Sequence, residues 1–387
     1  MDRRVPHIAT MRPYQQCNRC ILDTNDDPFI VFNDKGVCNH CLKYDKQAKE
    51  QVFTGEIAKQ KYDAIIAKIK EEGKGKPYDT ILGVSGGVDS TYLAYLAKQE
   101  GLRLLLFHFD NGWDSEMSVK NIESMSTKLG YDLSTYVVDW NEFKDIQLAY
   151  IKAGVVDIEA ITDHAAKVAT IRLAKEYKIH NVLIGTNIVT ESVLPDYWIF
   201  PKRDWRNLKD IHKKFGTVKL KSLPVSSVWE DFYNDRIFKP AFHSLLDLVP
   251  YVKDDVKKII IKELDWKDYG GKHYESIWTR FYQGYILPEK FHIDKRKAHL
   301  SNLICSGQIT KEQAFEEMKL PIYDPEQLKV DKDFVLKKLN FTEAEFDEYI
   351  KKPRREHTDF DHVMHIDKRY PVLAPVKKLY RMLFPVG

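Results

Sequence analysis

One short run constrains this chain more than any other. Thr80-Ile81-Leu82-Gly83-Val84 is apolar and strand-like, and Ser85-Gly86-Gly87-Val88-Asp89-Ser90 follows it directly. The residues beyond place Val88, Tyr92, Tyr95 and Leu96 on one face of a helix. A glycine pair between a strand and a helix lets backbone N–H groups close on an anion. The helix N-terminus behind it adds the positive end of a dipole. Ser85 and Ser90 can donate hydroxyls to phosphate oxygens, and Asp89 can hold a magnesium ion. The alternative is a plain glycine turn between a strand and a helix.

The surrounding rhythm supports the phosphate reading. From Tyr78 the pattern predicts strand 80–84, helix 88–99, strand 102–109, helix 115–129, strand 133–138, helices near 142–153 and 163–177, and strand 181–185. Residues 102–109 are nearly all apolar, as a strand buried on both faces must be. This alternation predicts an α/β fold, a doubly wound parallel sheet whose ligands bind beyond the carboxyl ends of the strands. Two further loops leave those ends: Asp110-Asn111-Gly112 and Gly185-Thr186-Asn187-Ile188-Val189-Thr190-Glu191-Ser192. Each is also readable as an ordinary strand-to-helix connection. Asp163-His164 opens a helix, with Asp163 as a cap and His164 as a candidate substrate contact.

Four of the five cysteines fall in the first 41 residues. Cys17-x-x-Cys20 and Cys38-x-x-Cys41 have the spacing of a structural four-cysteine zinc site. Phe29-Ile30-Val31-Phe32 reads as a strand between the pairs and Asn33-Asp34-Lys35-Gly36 as its turn. So small a ribbon needs metal to fold. Disulfides and an iron–sulfur cluster are the alternatives, the first disfavoured in a reducing compartment. His40 reads as a bystander, and Cys305 as a buried structural thiol.

The expected domains are a zinc ribbon (1–53), a helical connector (54–77), a nucleotide-binding domain (78–235) and a mostly helical region (236–387). Thr310-x-x-Gln313 and Thr342-x-x-Glu345 start helices there as capping boxes. A net charge of +3 gives little support for a nucleic-acid partner. No apolar run approaches membrane-spanning length and no hydrophobic segment follows the start, so a cytoplasmic protein is expected. Residues 270–307 are dense in functional side chains. Their basic groups beside aromatics suit a phosphorylated or nucleotide-linked substrate, although Asp294-Lys295-Arg296-Lys297 also reads as a solvated helix face.

The S-G-G-x-D-S loop resembles the PP-loop of the ATP pyrophosphatases (the adenine nucleotide alpha hydrolase-like fold), and 185–192 resembles the G-T-x-x-x-D segment of GMP synthetase relatives. The four-cysteine start, the run from Gly271 to Phe291 and Asp294-Lys295-Arg296-Lys297-Ala298-His299-Leu300-Ser301 extend the likeness. Together they resemble the N-acetyl sugar amidotransferases of lipopolysaccharide O-antigen or nonulosonic-acid biosynthesis. The resemblance implies an enzyme that uses ATP and magnesium to turn an acetamido group of a nucleotide-linked di-N-acetyl sugar into an acetamidino group. The ammonia would come from separate glutaminase and cyclase-like subunits. It implies ATP contacts at Val84, Ser85, Gly86, Gly87, Asp89, Ser90, His108, Asp110, Gly185 and Thr186. Asp89, Lys290, Lys295 and Arg296 become the catalytic candidates, with Asp89 on magnesium. Substrate contacts are expected from His164, Asn187, Glu191, Lys272, His273 and Arg280, and structural zinc on Cys17, Cys20, Cys38 and Cys41. Tyr197-Trp198-Ile199-Phe200-Pro201-Lys202-Arg203-Asp204-Trp205-Arg206 is the expected docking surface for the ammonia supplier, or else a loop over the ATP site. The rival readings are a tRNA-modifying PP-loop enzyme and a non-catalytic zinc-ribbon adaptor.

Overall fold

The computed structural model describes residues 13–270 and 274–363. A five-stranded sheet forms the centre, in the order β3-β2-β1-β4-β5. Its strands are β1 (Thr80–Gly83), β2 (Leu104–Asp110), β3 (Leu133–Val137), β4 (Asn181–Leu183) and β5 (Ala241–His243), and all neighbours run parallel. Gly83 pairs with Phe107 and Leu82 with Leu183, so β1 lies between β2 and β4. The strand order reverses there. Loops leaving β1 and β4 diverge at that point and open a crevice.

The period of two along the strands decides which helices cover which face. Leu82, Leu104 and Leu106 pack with α3 (Val88–Gln99), α4 (Glu116–Leu129) and α10 (Lys253–Leu264) on one side. Ile81, Leu105 and Phe107 pack with α6 (Ala160–Glu176) on the other. Each buried Leu, Ile or Phe here contributes about 1.5–3 kcal/mol. Local chemistry sets the helix ends. Ser115 caps α4 by accepting the Ser118 N–H, and Asp139 caps α5 (Trp140–Ala153) by accepting from Asn141 and Glu142. The expected capping boxes at Thr310 and Thr342 are both formed.

The ribbon runs into α1 (Asn39–Gln51), and α2 (Gly55–Gly73) leads to the sheet. Between β4 and β5 lie α7 (Ile188–Glu191), α8 (Trp205–Phe215) and α9 (Val228–Tyr233). After α10 the chain continues as α11 (Ile277–Phe281), α12 (Leu287–Phe291), α13 (Lys295–Cys305), α14 (Lys311–Met318), α15 (Pro325–Leu339) and α16 (Glu343–Lys351). These helices, α14 apart, share one core with α5 and the ribbon, centred on Leu22, Ile30, Trp113, Phe143, Trp278 and Phe346, while Ala314 of α14 packs with Ile21 and Leu300. No helix of the described residues is long and apolar enough to cross a membrane.

Two elements differ from expectation. Residues 29–32 form no strand; only Phe32 bridges to Cys38, around a turn in which Asn33 Oδ1 accepts the Lys35 and Val37 N–H groups. Side-chain bonding of that kind competes with a ladder. The sheet also takes its fifth strand from beyond residue 235, in the region expected to be mostly helical, where no particular strand was assigned.

Candidate functional site

The glycine loop sits at the reversal point. Gly86 has φ +76°, and a Cβ there would lie 2.6 Å from the Ser118 carbonyl oxygen, so only glycine makes this turn without strain. Its own carbonyl accepts from the Trp266 indole N–H at 2.8 Å, which pins the loop from the α10 side. From β4, Gly185 passes the start of α3 so closely that a Cβ would lie 3.2 Å from the Ser90 nitrogen. The two loops therefore frame one pocket of about 230 Å³. Ser85, Gly87, Asp89, Ser90, Gly185 and Thr186 line it.

The pocket holds both charge signs. Lys253 and Lys257 reach it from α10, and Glu191, Asp268 and Glu275 join Asp89 in its wall. Lys257 pairs with Asp268 at 2.7 Å. Asp89 accepts a hydrogen bond from the Tyr251 hydroxyl, whose pKa is driven well up by burial and by Asp89 itself. Several carboxylates beside serine hydroxyls are the hard-oxygen donor set that magnesium prefers.

A second cavity of about 990 Å³ opens from the first. Ser85, Thr186, Glu191, Lys253, Lys257 and Glu275 line both. On the sheet side it is bounded by Val84, His108, Asn111 and Asp114. His108 Nδ1 donates to the Val84 carbonyl (3.0 Å) and Nε2 to Asp114 (3.2 Å). Burial works against its charge, but the Asp114 carboxylate and the Val84 carbonyl outweigh that and raise its pKa. Each ring nitrogen thus has a partner in the cavity wall. The opposite wall comes from the C-terminal helices, including Gln283, Asp294, Lys295, Arg296, His299 and Glu317. This wall is stitched to the sheet: Ser115 N–H donates to the Glu275 carbonyl, and Ile277 N–H to that of Trp113.

The expected residues divide. Val84, Ser85, Gly87, Asp89, Ser90, His108, Gly185, Thr186, Glu191, Lys295 and Arg296 line the two cavities, and Gly86 makes the turn between them. Lys295 has no ion-pair partner among the described residues, whereas Arg296 is held by Asp294 at 2.8 Å and by the Leu320 carbonyl. Lys272 and His273 lie outside the described residues.

Five assignments need correction. Lys290 is buried away from both cavities, where its ammonium donates to the Tyr349 and Lys352 carbonyls at 2.6 Å and so caps α16. Burial, with Lys352 nearby, brings its pKa down to about 8. His164 is neutral and structural: Nδ1 donates to the Lys202 carbonyl, Nε2 accepts the Ser226 N–H, and burial lowers its pKa. Arg280 spends its guanidinium on a two-point pair with Asp331 (2.6 and 2.9 Å). Asn187 is the N-cap of α7, accepting from Thr190. Asp110 turns back onto the Gly112 N–H and lines neither cavity.

Much of the 197–206 segment is packed into the protein, and none of its residues lines either cavity. Trp198 is buried and donates to the Asp26 carbonyl, Phe200 stacks on His357, Lys202 pairs with Asp157, and Arg206 pairs with Asp361. It ties the ribbon to the helical region. Sequence reasoning also missed Lys253, Lys257, Asp114 and Glu275. The available signals were the place of Glu275 in the dense 270–307 segment and the one-turn spacing of Lys253 and Lys257, which puts both on one face of α10. Only the packing of α10 on α3 shows which way that face looks.

In the ribbon, one sulfur from each of Cys17, Cys20, Cys38 and Cys41 lies within 4.8 Å of the others, and all four residues are buried. Cys17 to Cys41 is 3.9 Å and Cys20 to Cys38 is 3.8 Å. A tetrahedron with Zn–S bonds of ~2.3 Å has edges of ~3.8 Å, so the donor set and spacing fit zinc. His40 points away to Asp27 at 2.8 Å. Cys305 packs against the cluster, its sulfur 3.5 Å from that of Cys41. From this cluster bonds run into α13: Ile21 N–H to Ser301 Oγ, Arg19 to the Cys305 carbonyl, and Lys297 to Asp23 and Asp26.

Residues 275–372 match the family described as LPS biosynthesis protein WbpG-like, C-terminal domain. No curated protein sequence matches the chain. Among solved structures, an NH3-dependent NAD synthetase from Campylobacter jejuni is similar at 12% identity and a TM-score of 0.32, over 77% of this chain and 98% of that one. An NMN synthetase from Francisella tularensis is similar at 14% identity and a TM-score of 0.28, over 59% of this chain and 93% of that one. The fold assignment rests on the sheet order and the loop at its reversal point. Residues 275–372 thus match the WbpG-like C-terminal domain, and this chain joins that matched region to a parallel sheet with the Ser85–Ser90 glycine loop at its reversal point.

Proposed function

We propose that the chain is an ATP-dependent amidotransferase, forming AMP and pyrophosphate, that converts an acetamido group of a nucleotide-linked sugar to an acetamidino group. One observation carries this reading. The PP-loop pocket opens into a cavity whose far wall belongs to the WbpG-like region. A nucleotide at the loop and a sugar held by the surface-polysaccharide domain would meet in one space.

The chemistry follows from what an amide lacks. Its oxygen is a poor leaving group and its carbon a weak electrophile. In-line attack of the amide oxygen on the α-phosphorus breaks the α–β phosphate bond and releases pyrophosphate. Ammonia then adds to the carbon of the O-adenylyl imidate, and AMP departs with the former amide oxygen. The atoms balance: one nitrogen replaces one oxygen. Ser85, the backbone about Gly86 and Gly87, and Lys253 and Lys257 supply charge to the departing pyrophosphate. Magnesium on Asp89 would screen the phosphates while they are bound. His108, its pKa raised by Asp114 and the Val84 carbonyl, lines the same wall and adds positive charge there when protonated. Glu191 and Glu275 line both cavities and are the carboxylates placed to take a proton as ammonia enters. Lys295 and Arg296, outside the smaller pocket, are assigned to the sugar nucleotide rather than to ATP.

Among the described residues no cysteine lines either cavity, which favours an ammonia source on another protein and disfavours thiol chemistry on tRNA. The four-cysteine cluster is assigned structural zinc. The test is mass spectrometry of a reaction with ATP, magnesium, ammonium and a panel of UDP- and CMP-linked di-N-acetyl sugars. A sugar product lighter by about one mass unit, formed with AMP and pyrophosphate, is expected. AMP formed only with tRNA would overturn the reading.

A further inference from the structure

Helix α13 carries two rows of side chains that touch two different parts of the molecule. Lys297, Ser301 and Cys305 recur at one-turn spacing and so stand in one row. Each meets the four-cysteine ribbon. The Lys297 ammonium bridges Asp23 and Asp26 at 2.9 Å, Ser301 Oγ accepts the Ile21 N–H at 3.4 Å, and the Cys305 sulfur lies 3.5 Å from that of Cys41. Leu300 beside them packs with Ile21 and with Ala314 of α14. Lys295, His299 and Asn302 form the neighbouring row, at spacings of four and three. Lys295 and His299 line the large cavity. Asn302 holds the Ile188 and Val189 carbonyls of α7, whose Thr190 and Glu191 line the same cavity. One helix thus joins the sulfur cluster to the cavity's C-terminal wall.

Cys17, Cys20, Cys38 and Cys41 complete a tetrahedral site, so a fifth sulfur against them calls for a role of its own. A zinc ion with four thiolates carries excess negative charge, and a buried site of that kind needs donors to its sulfurs. Cys17 has them in the backbone N–H groups of Arg19, Cys20 and Cys38, at 3.4, 3.5 and 3.3 Å. Cys305 offers its S–H to Cys41 in the same way. The Arg19 guanidinium, paired with Asp45, donates to the Cys305 carbonyl at 3.1 Å and holds that end of α13 in place. We propose that Cys305 is an outer partner of the metal site, donating to the zinc-bound Cys41 sulfur, and that through Cys305 and α13 the ribbon metal fixes the C-terminal wall of the large cavity. Metal binding and the order of that wall are then coupled, and by linkage the coupling runs both ways. It presupposes zinc in the ribbon and is independent of the reaction assigned to the cavity.

The zinc content of the wild-type protein is measured first and tests the ribbon assignment by itself. Cys305→Ala should then weaken zinc binding by about tenfold in competition with a chromogenic chelator, as removal of an outer partner does. Circular dichroism would verify that the variant is folded. Hydrogen–deuterium exchange is next read on the wild-type chain before and after a chelator removes the zinc. Faster exchange is expected at residues 297–305 and 189–193, with β1 and β2 unchanged. A zinc affinity for Cys305→Ala within about twofold of wild type would overturn the proposal. So would amides of α13 and α7 that ignore the metal, because the wall would then stand without it. Lost protection across the sheet would also overturn it, since the metal would then hold the whole fold rather than this wall. A wild-type chain that takes up no zinc would overturn it together with the ribbon assignment.

Discussion

Asn302 offers the sharpest test of how the helical region shapes the site. It is fully buried on α13, and its amide is saturated. Nδ2 donates to the Ile188 and Val189 carbonyls at 3.1 and 2.6 Å, and Oδ1 accepts the Val193 N–H at 2.7 Å. Those are the end groups of α7, which a helix so short cannot satisfy internally. Thr190 and Glu191 of α7 line the large cavity. Asn302→Ala would leave two carbonyls and one N–H buried without that partner. At about 1–3 kcal/mol each, eased by whatever water enters, the loss is about 4 kcal/mol. An unfolding entropy of ~2.1 cal/mol/K per residue gives ~0.8 kcal/mol/K for the whole chain, so the Tm should fall by about 5 °C. Asn302→Asp should do at least as badly at neutral pH, because it sets a carboxylate against two carbonyls. Calorimetry gives the Tm, and steady-state assays should show a raised KM for the sugar. A Tm within one degree of wild type for Asn302→Ala would refute the clamp.

Other outcomes follow from the site. Because the folded-state pKa of His108 is raised, its pair with Asp114 stabilises the fold fully below about pH 6.5 and loses that contribution as pH rises through the raised value. Asp114→Asn should bring the His108 titration in an NMR series down toward or below the ordinary value; an unchanged midpoint would remove Asp114 as the cause. Lys253→Met with Lys257→Met should raise the KM for ATP at least tenfold and leave zinc content unchanged; an unaltered KM would take α10 out of the phosphate site. Cys38→Ser should lower bound zinc and soluble yield together, and normal folding without metal would show that the ribbon is not held by it.

How much of this was legible beforehand depended on the range of the interaction. The strand–glycine–helix run, the cap residues and the two C-x-x-C pairs are local signals, and they placed β1, α3, the ribbon sulfurs and the capping boxes correctly. Strand β5 was invisible because three residues carry no readable alternation. Lys290, Arg280 and His164 misled for one reason. A basic residue in a rich segment looks the same whether it meets a ligand, a helix end or a buried aspartate. Only the fold shows that Lys290 caps α16 and that Asp331 claims Arg280. Lys253 and Lys257 failed in the opposite direction: ordinary helix lysines become phosphate-site candidates because α10 packs on α3.

The most direct test of the central claim uses a sugar nucleotide whose acetamido oxygen carries a heavy-isotope label. Adenylation of the amide predicts that, with ATP and ammonium, the label appears in AMP in step with formation of the acetamidino product. Label retained in the sugar, or released to water or pyrophosphate, would contradict attack of the amide oxygen on the α-phosphorus and with it the proposed reaction.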